Sequence, residues 1–277
     1  MTAQSTPPTR PTPPPPVTTV GGRTVPLTSR ILTQEIWLVF ALSLGADGLR
    51  ALVSLIGDWT SGQSLTAQVA VLNASRAPGR PTLDLILQLV SLATAVVPVL
   101  LVGYLLGRSG EGLSTIGVDF LRPRSDLMRG SVLAAVVGGA GLFLYLGAHA
   151  LGINLTVVPE SLPVIWWRIP VLLLSALQNA VLEEVLVAGY LLHRLAQLGW
   201  SDNRALATSA VLRGSYHLYQ GLGGFVGNAI MGVIFGRLFQ RWQRAMPLVI
   251  AHTLMDAVAF IGYAELAGHV SWLPVPG

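Results

Sequence analysis

Two adjacent carboxylates, Glu183 and Glu184, interrupt a run that is otherwise apolar from Ile169 to Leu192. Acids inside such a run are costly, at least ~2.5–3.5 kcal/mol each at the centre of a membrane helix, so they call for a function. The chain supplies partners for them further on. Arg213 and His217 lie in RGSYH, Asn228 in FVGNAIMG, and His252 and Asp256 in AHTLMD. The pairs Arg213/His217 and His252/Asp256 are spaced i, i+4, which puts each pair on one helix face. Carboxylate, imidazole and guanidinium gathered this way suit general-base activation of a water and stabilisation of an anion. Neighbouring helical residues point about 100° apart, so Glu183 and Glu184 are expected to do different jobs. One of the two is read as facing the site and the other as securing a partner helix or Arg213.

The elements that must hold these groups are membrane helices. Of the 277 residues 52% are hydrophobic and 11% are charged, and the mean hydropathy is +0.62. Soluble domains carry about 25% charged residues. The fold class expected is therefore all-α, a polytopic membrane helix bundle. Seven spans are predicted, over 35–57, 85–106, 130–151, 169–193, 203–220, 222–240 and 245–264. Counted along these spans, the polar groups fall about 10–20 Å deep, in one slab. The positive charge is all arginine, with no lysine. With a cytoplasmic N-terminus, twelve arginines (10, 23, 30, 108, 122, 124, 129, 194, 204, 237, 241 and 244) lie inside and three (76, 80 and 168) outside. DFLRPRSDLMR, residues 119–129, reads as an amphipathic connection along the cytoplasmic surface. Asp47 and Arg50 share a face of the first span and could pair. His193 beside Arg194 reads as a snorkelling cap, and Trp166 and Trp167 as part of the outer aromatic belt.

Residues 1–30 form a Pro/Thr-rich tail, expected to be disordered and cytoplasmic. Residues 31–164 hold the first helices, 165–265 the core that carries the chemistry, and 266–277 a C-terminal tail. The absence of cysteine excludes disulfides and thiolate chemistry. Scattered arginines without interleaved aromatics argue against nucleic-acid binding. The partners expected are the lipid bilayer and a peptide or protein substrate, in a cell membrane of bacterial type.

In order, EEVLVAG, RGSYH and HTLMD resemble the three signature motifs of the CPBP family, the intramembrane proteases related to the CAAX-processing endopeptidase and to bacteriocin-processing proteins. The resemblance covers about residues 165–265. It implies that Glu183 activates a water with His217, and that His252 and its i+4 partner stabilise an oxyanion. It also places Glu184, Arg213, Asn228 and Asp256 in or beside the catalytic set. Three positions depart from the family pattern: Ala188 stands for arginine, Arg213 for phenylalanine and Asp256 for asparagine. Asp256 changes the oxyanion role, because an ionised carboxylate only accepts hydrogen bonds.

Other readings stay open in the sequence. Glu183, His217 and His252 could form a two-histidine, one-carboxylate zinc site, although no HExxH spacing demands one. A proton-coupled transporter or a non-catalytic membrane scaffold would also retain buried acid–histidine groups.

Overall fold

The computed structural model describes residues 17–20, 23–267 and 269–270. Most of the Pro/Thr-rich tail, residues 1–16, lies outside them, as does 271–277 of the C-terminal tail. Within the predicted tail, β1 (Val17–Val20) and β2 (Arg23–Pro26) pair as an antiparallel hairpin.

The first predicted span is a bent pair, α1 (Ser29–Ala41) and α2 (Leu44–Thr60), set at 48°. Thr28 caps α1 by accepting from the Ile31 N–H, and the helix breaks at Leu42–Ser43. After β3 (Val69–Ala74), α3 (Pro81–Ala95) and α4 (Val97–Arg108) run on as a single span. Next comes α5 (Pro123–Ala150), of 28 residues. The predicted surface connection at 119–129 is shorter than expected, because Pro123 opens this helix at a first-turn position where its missing N–H costs nothing. After β4 (Thr156–Ser161), one span contains α6 (Arg168–Glu183), a π-helix (Glu184–Leu191) and α7 (Leu192–Gln197). The last helices are α8 (Asp202–Ser215), α9 (Leu222–Trp242) and α10 (Met246–Leu266).

Among the described residues five helices are long and apolar enough to cross a membrane, or six if the bent pair counts as one span. The predicted seventh, 203–220, falls short. Its helix α8 has 14 residues, about 21 Å against a ~30 Å hydrocarbon core. It ends at Tyr216, and a 3₁₀ turn (Leu218–Gln220) leads to Gly221, whose φ of +99° turns the chain back into α9. The bundle is all-α in class and multi-pass. Outside the helices and the hairpin, the parallel pairing of β3 with β4, Val69 opposite Thr156, was unforeseen.

The glutamate-bearing span is the axis of the bundle. Val185, Leu186, Val187, Ala188, Tyr190, Leu191 and Leu192 are all buried, packed with Val39, Phe40, Val102, Ile116 and Leu248 from surrounding elements. A helix apolar all round is one enclosed by protein. Its end is fixed by ion pairs. Arg194, fully buried, donates to Glu111 Oε2 at 2.6 Å and to Ser109 Oγ at 2.8 Å. His193 meets Glu111 Oε1 at 2.6 Å. His193 is therefore not the expected snorkelling cap, since it is buried in this network. Trp167 is buried against Val171, Leu172 and Phe260, while Trp166 is exposed as a belt residue would be.

Candidate active site

The chemistry-bearing residues come from five elements. Glu183 is the last residue of α6 and Glu184 the first of the π-helix. Arg213 sits in the last turn of α8, His217 in the turn that follows, and His252 and Asp256 on α10. A π-turn is wider than an α-turn and recurs at functional sites. Here all eight of its residues are buried, and that packing sustains it.

Arg213 joins the two glutamates. Its Nη2 lies 2.7 Å from Glu184 Oε1 and 3.2 Å from Glu183 Oε2. Glu184 Oε1 also accepts from His252 Nδ1 at 2.9 Å. Glu183 Oε2 accepts from the Tyr216 hydroxyl at 2.9 Å. The other Glu183 oxygen, Oε1, stands 3.9 Å from His217 Nε2. His217 Nδ1 lies 2.9 Å from the Arg213 carbonyl. A carbonyl only accepts, so Nδ1 carries a proton, and in the neutral ring Nε2 faces Glu183 with its lone pair. His252 Nε2 is 3.6 Å from Asp256 Oδ1, and Asp256 Oδ2 accepts from Asn179 Nδ2 at 3.3 Å.

A cavity of about 1680 Å³ opens beside this cluster, between α2, α5, α9 and α10. Glu183, His217, His252 and Asp256 are on its wall. Glu184 is fully buried and does not reach it. Asn228 lines the cavity, but its amide bonds back to the Gly224 carbonyl at 3.1 Å and not to the cluster. Ala188, where the family motif carries arginine, is buried in the apolar core. Arg213, from the neighbouring helix, is the guanidinium that reaches the glutamates. Asp47 and Arg50 pair at 2.6 Å on another wall of the same cavity.

Two participants were missed in the sequence. Asn179 is four residues before Glu183 and so shares its helix face, and that spacing was the available signal. Tyr216 directly precedes His217, but nothing in the sequence told its phenol apart from a packing aromatic.

The predicted zinc triad does not gather. Among the described residues, the grouping with metal-ligating geometry is Glu183, Glu184 and His252, all within 4.8 Å, without His217. Arg213 Nη2 stands among those three, 3.2 Å from His252 Nδ1 as well as close to both carboxylates. A fixed guanidinium occupies the position a shared cation would take, and its charge would repel one. The residues do not fit a zinc ion while Arg213 is in place.

Residues 165–258 match the family model described as type II CAAX prenyl endopeptidase Rce1-like. That segment is similar to the Rce1-like family. It is the segment whose motifs resemble the CPBP proteases, and the match supports a CAAX-type intramembrane protease in general terms. No curated protein and no solved structure matches the chain. The matched segment holds Glu183, His217, His252 and Asp256, whereas α2 and α5 from outside it complete the cavity.

Proposed function

We propose that the protein is an intramembrane endopeptidase in which Glu183 and His217 activate a water against a substrate peptide carbonyl. The observation that carries this reading is the 3.9 Å separation of Glu183 Oε1 and His217 Nε2 on the cavity wall. Both atoms are acceptors turned toward one space, so a water there donates one hydrogen to each and points a lone pair into the cavity. Attack forms the C–O bond, and the water's proton passes to Glu183. Collapse of the tetrahedral intermediate then breaks the C–N bond as that proton is delivered to the leaving amine, which completes hydrolysis. Tyr216 and Arg213 hold the other Glu183 oxygen, which fixes the base in direction.

On this reading His252 is the donor for the developing oxyanion. Its Nδ1–H is committed to Glu184, and when Nε2 is also protonated that N–H faces the cavity beside Asp256. Asp256, held by Asn179, orients the ring and accepts only, so the oxyanion role falls on His252 alone. The substrate class suggested by the family is a membrane-anchored peptide, and a farnesylated CAAX peptide is the first to offer. The purified protein in lipid vesicles should cleave it, whereas Glu183→Gln should accumulate normally and lose cleavage by at least a hundredfold. Retained cleavage in Glu183→Gln would sink the assignment. No loss of rate in a chelator is expected.

A further inference from the structure

A second pocket, of about 130 Å³, lies between α3 and α6, next to the large cavity. Its lining includes Arg76, Gln88 and Ser91 from one side and Ser175, Gln178 and Asn179 from α6, with Asn73 of β3. These residues form two facing stripes. On α3, Asp84, Gln88 and Ser91 follow at intervals of four and three, which is one helix face. On α6, Ser175, Asn179 and Glu183 follow at intervals of four, with Gln178 beside them. Both helices start from the strand end of the bundle, after β3 and β4 respectively. Ser91 is about 15 Å from the start of α3 and Asn179 about 17 Å from the start of α6, roughly halfway through a bilayer.

The outer part of the seam is explained by structure. Asp84 accepts from Ser75 Oγ and the Arg76 N–H, and Gln88 donates to the Ala74 carbonyl. The inner part is not. Among the described residues the side chains of Ser91, Ser175 and Gln178 hold no hydrogen bond to protein, yet all three line the pocket. Polar groups at that depth in a membrane need partners, and the volume is ample for several waters. The inner end is shared. Leu72 and Asn179 line both the pocket and the large cavity, and Asn179 donates to Asp256 in the active-site cluster.

We propose that the polar seam between α3 and α6 supplies water to the site, entering at Arg76 and passing Gln88, Ser91 and Gln178 to Asn179. This rests on the hydrolase reading, since water is that reaction's second substrate. The seam gives water an approach separate from the apolar cavity, where a peptide substrate would obstruct it.

The chain contains no cysteine, so a single introduced thiol reports its own surroundings. Ser91→Cys, Ser175→Cys and Gln178→Cys, in lipid vesicles, should be blocked by aqueous Ag⁺ at least tenfold faster than Val90→Cys and Leu177→Cys. The last two are exposed apolar neighbours on the same helices. Equal rates in the two groups would overturn the seam. This readout needs no cleavage, so it stands apart from the protease reading. The delivery role is tested with Ser91→Leu, which fills the seam without touching the active-site cluster. It should lower kcat at least fivefold with KM unchanged. Unchanged kcat in that variant would overturn delivery.

Discussion

Arg213 Nη2 lies 2.7 Å from Glu184 Oε1, and both side chains are shut away from solvent and from the large cavity. The pair ties α8 to the centre of the bundle, and His252 Nδ1 on the same carboxylate oxygen brings in α10. Three elements meet at one oxygen that is closed off from the cavity.

The two neighbouring glutamates should therefore fail differently. Glu184→Gln removes the nearer carboxylate of Arg213 and leaves the guanidinium with Glu183 alone, at 3.2 Å, a loss of up to about 3–5 kcal/mol for a buried pair broken on one side. Expected is a sharp fall in yield and in melting temperature in detergent. The small surviving fraction should retain some cleavage. Glu183→Gln should melt close to wild type and be inactive. The opposite pattern would exchange their roles.

Much of the site was legible because polar residues inside apolar runs are rare enough to stand out. Glu183, Glu184, Arg213, His217, His252 and Asp256 are each visible that way, and the structure draws them together. Asn228 stood out equally, yet its amide only serves its own helix. The π-helix left no mark, because EVLVAGYL is simply apolar and its winding is set by packing from other elements. The β3–β4 pair joins segments more than eighty residues apart, which local pattern cannot show. The short α8 was overcounted because the predicted span carried on through Tyr216–Gln220, where the helix has ended and a 3₁₀ turn leads to Gly221.

Close packing of α8 on α9 should matter for the site as well as the fold. A Cβ on Gly232 would stand 2.9 Å from Ala210 Cα and 3.2 Å from Arg213 Cδ. Gly232→Ala must push α8 away, at about 1–3 kcal/mol for overpacking. A lower melting temperature is expected together with reduced kcat, because Arg213 moves with its helix. Gly139→Ala, where a Cβ meets nothing within 4 Å, is the control.

Asp119, in the loop before α5, is held below the usual aspartate value of 3.8 by hydrogen bonds from Arg244 and then from the Leu121 N–H. A depressed carboxylate stabilises the fold above its unfolded value and loses that contribution as pH falls through the folded one. The melting-temperature gap between wild type and Asp119→Asn should be largest near neutrality and shrink below pH 3.8. A gap that is constant with pH would mean the loop is held by something other than the charge.

Orientation follows from arginine. Arg108 pairs with Glu35, Arg194 with Glu111, and Arg244 with Asp119 and Asp126, all at the end of the bundle assigned to the cytoplasm. Arg168 instead pairs with Glu160 beside the strand pair at the other end. A reporter fused after Gly277 should read extracytoplasmic and one fused before Ser29 cytoplasmic. Two reporters on the same side would mean that α8 and its turn do not count as a crossing.

The guanidinium among the three ligating groups leads to the last prediction. Glu183, Glu184 and His252 offer two carboxylate oxygens and an imidazole nitrogen within 4.8 Å, a ligand set suited to zinc once a cation is wanted there. Arg213 supplies that positive charge already. Arg213→Ala removes it and leaves two carboxylates facing each other without compensation. The variant should then bind Zn²⁺, and Co²⁺ in its place should give the visible absorption of a low-coordinate site. Wild type should show neither and should keep full activity in chelator. Added Zn²⁺ should raise the melting temperature of the variant by several degrees, through binding to the folded state alone. Arg213→Lys, which keeps a cation on a shorter reach, should bind Zn²⁺ far more weakly. Equal Zn²⁺ binding by wild type and Arg213→Ala would show that the arginine does not hold the cation position.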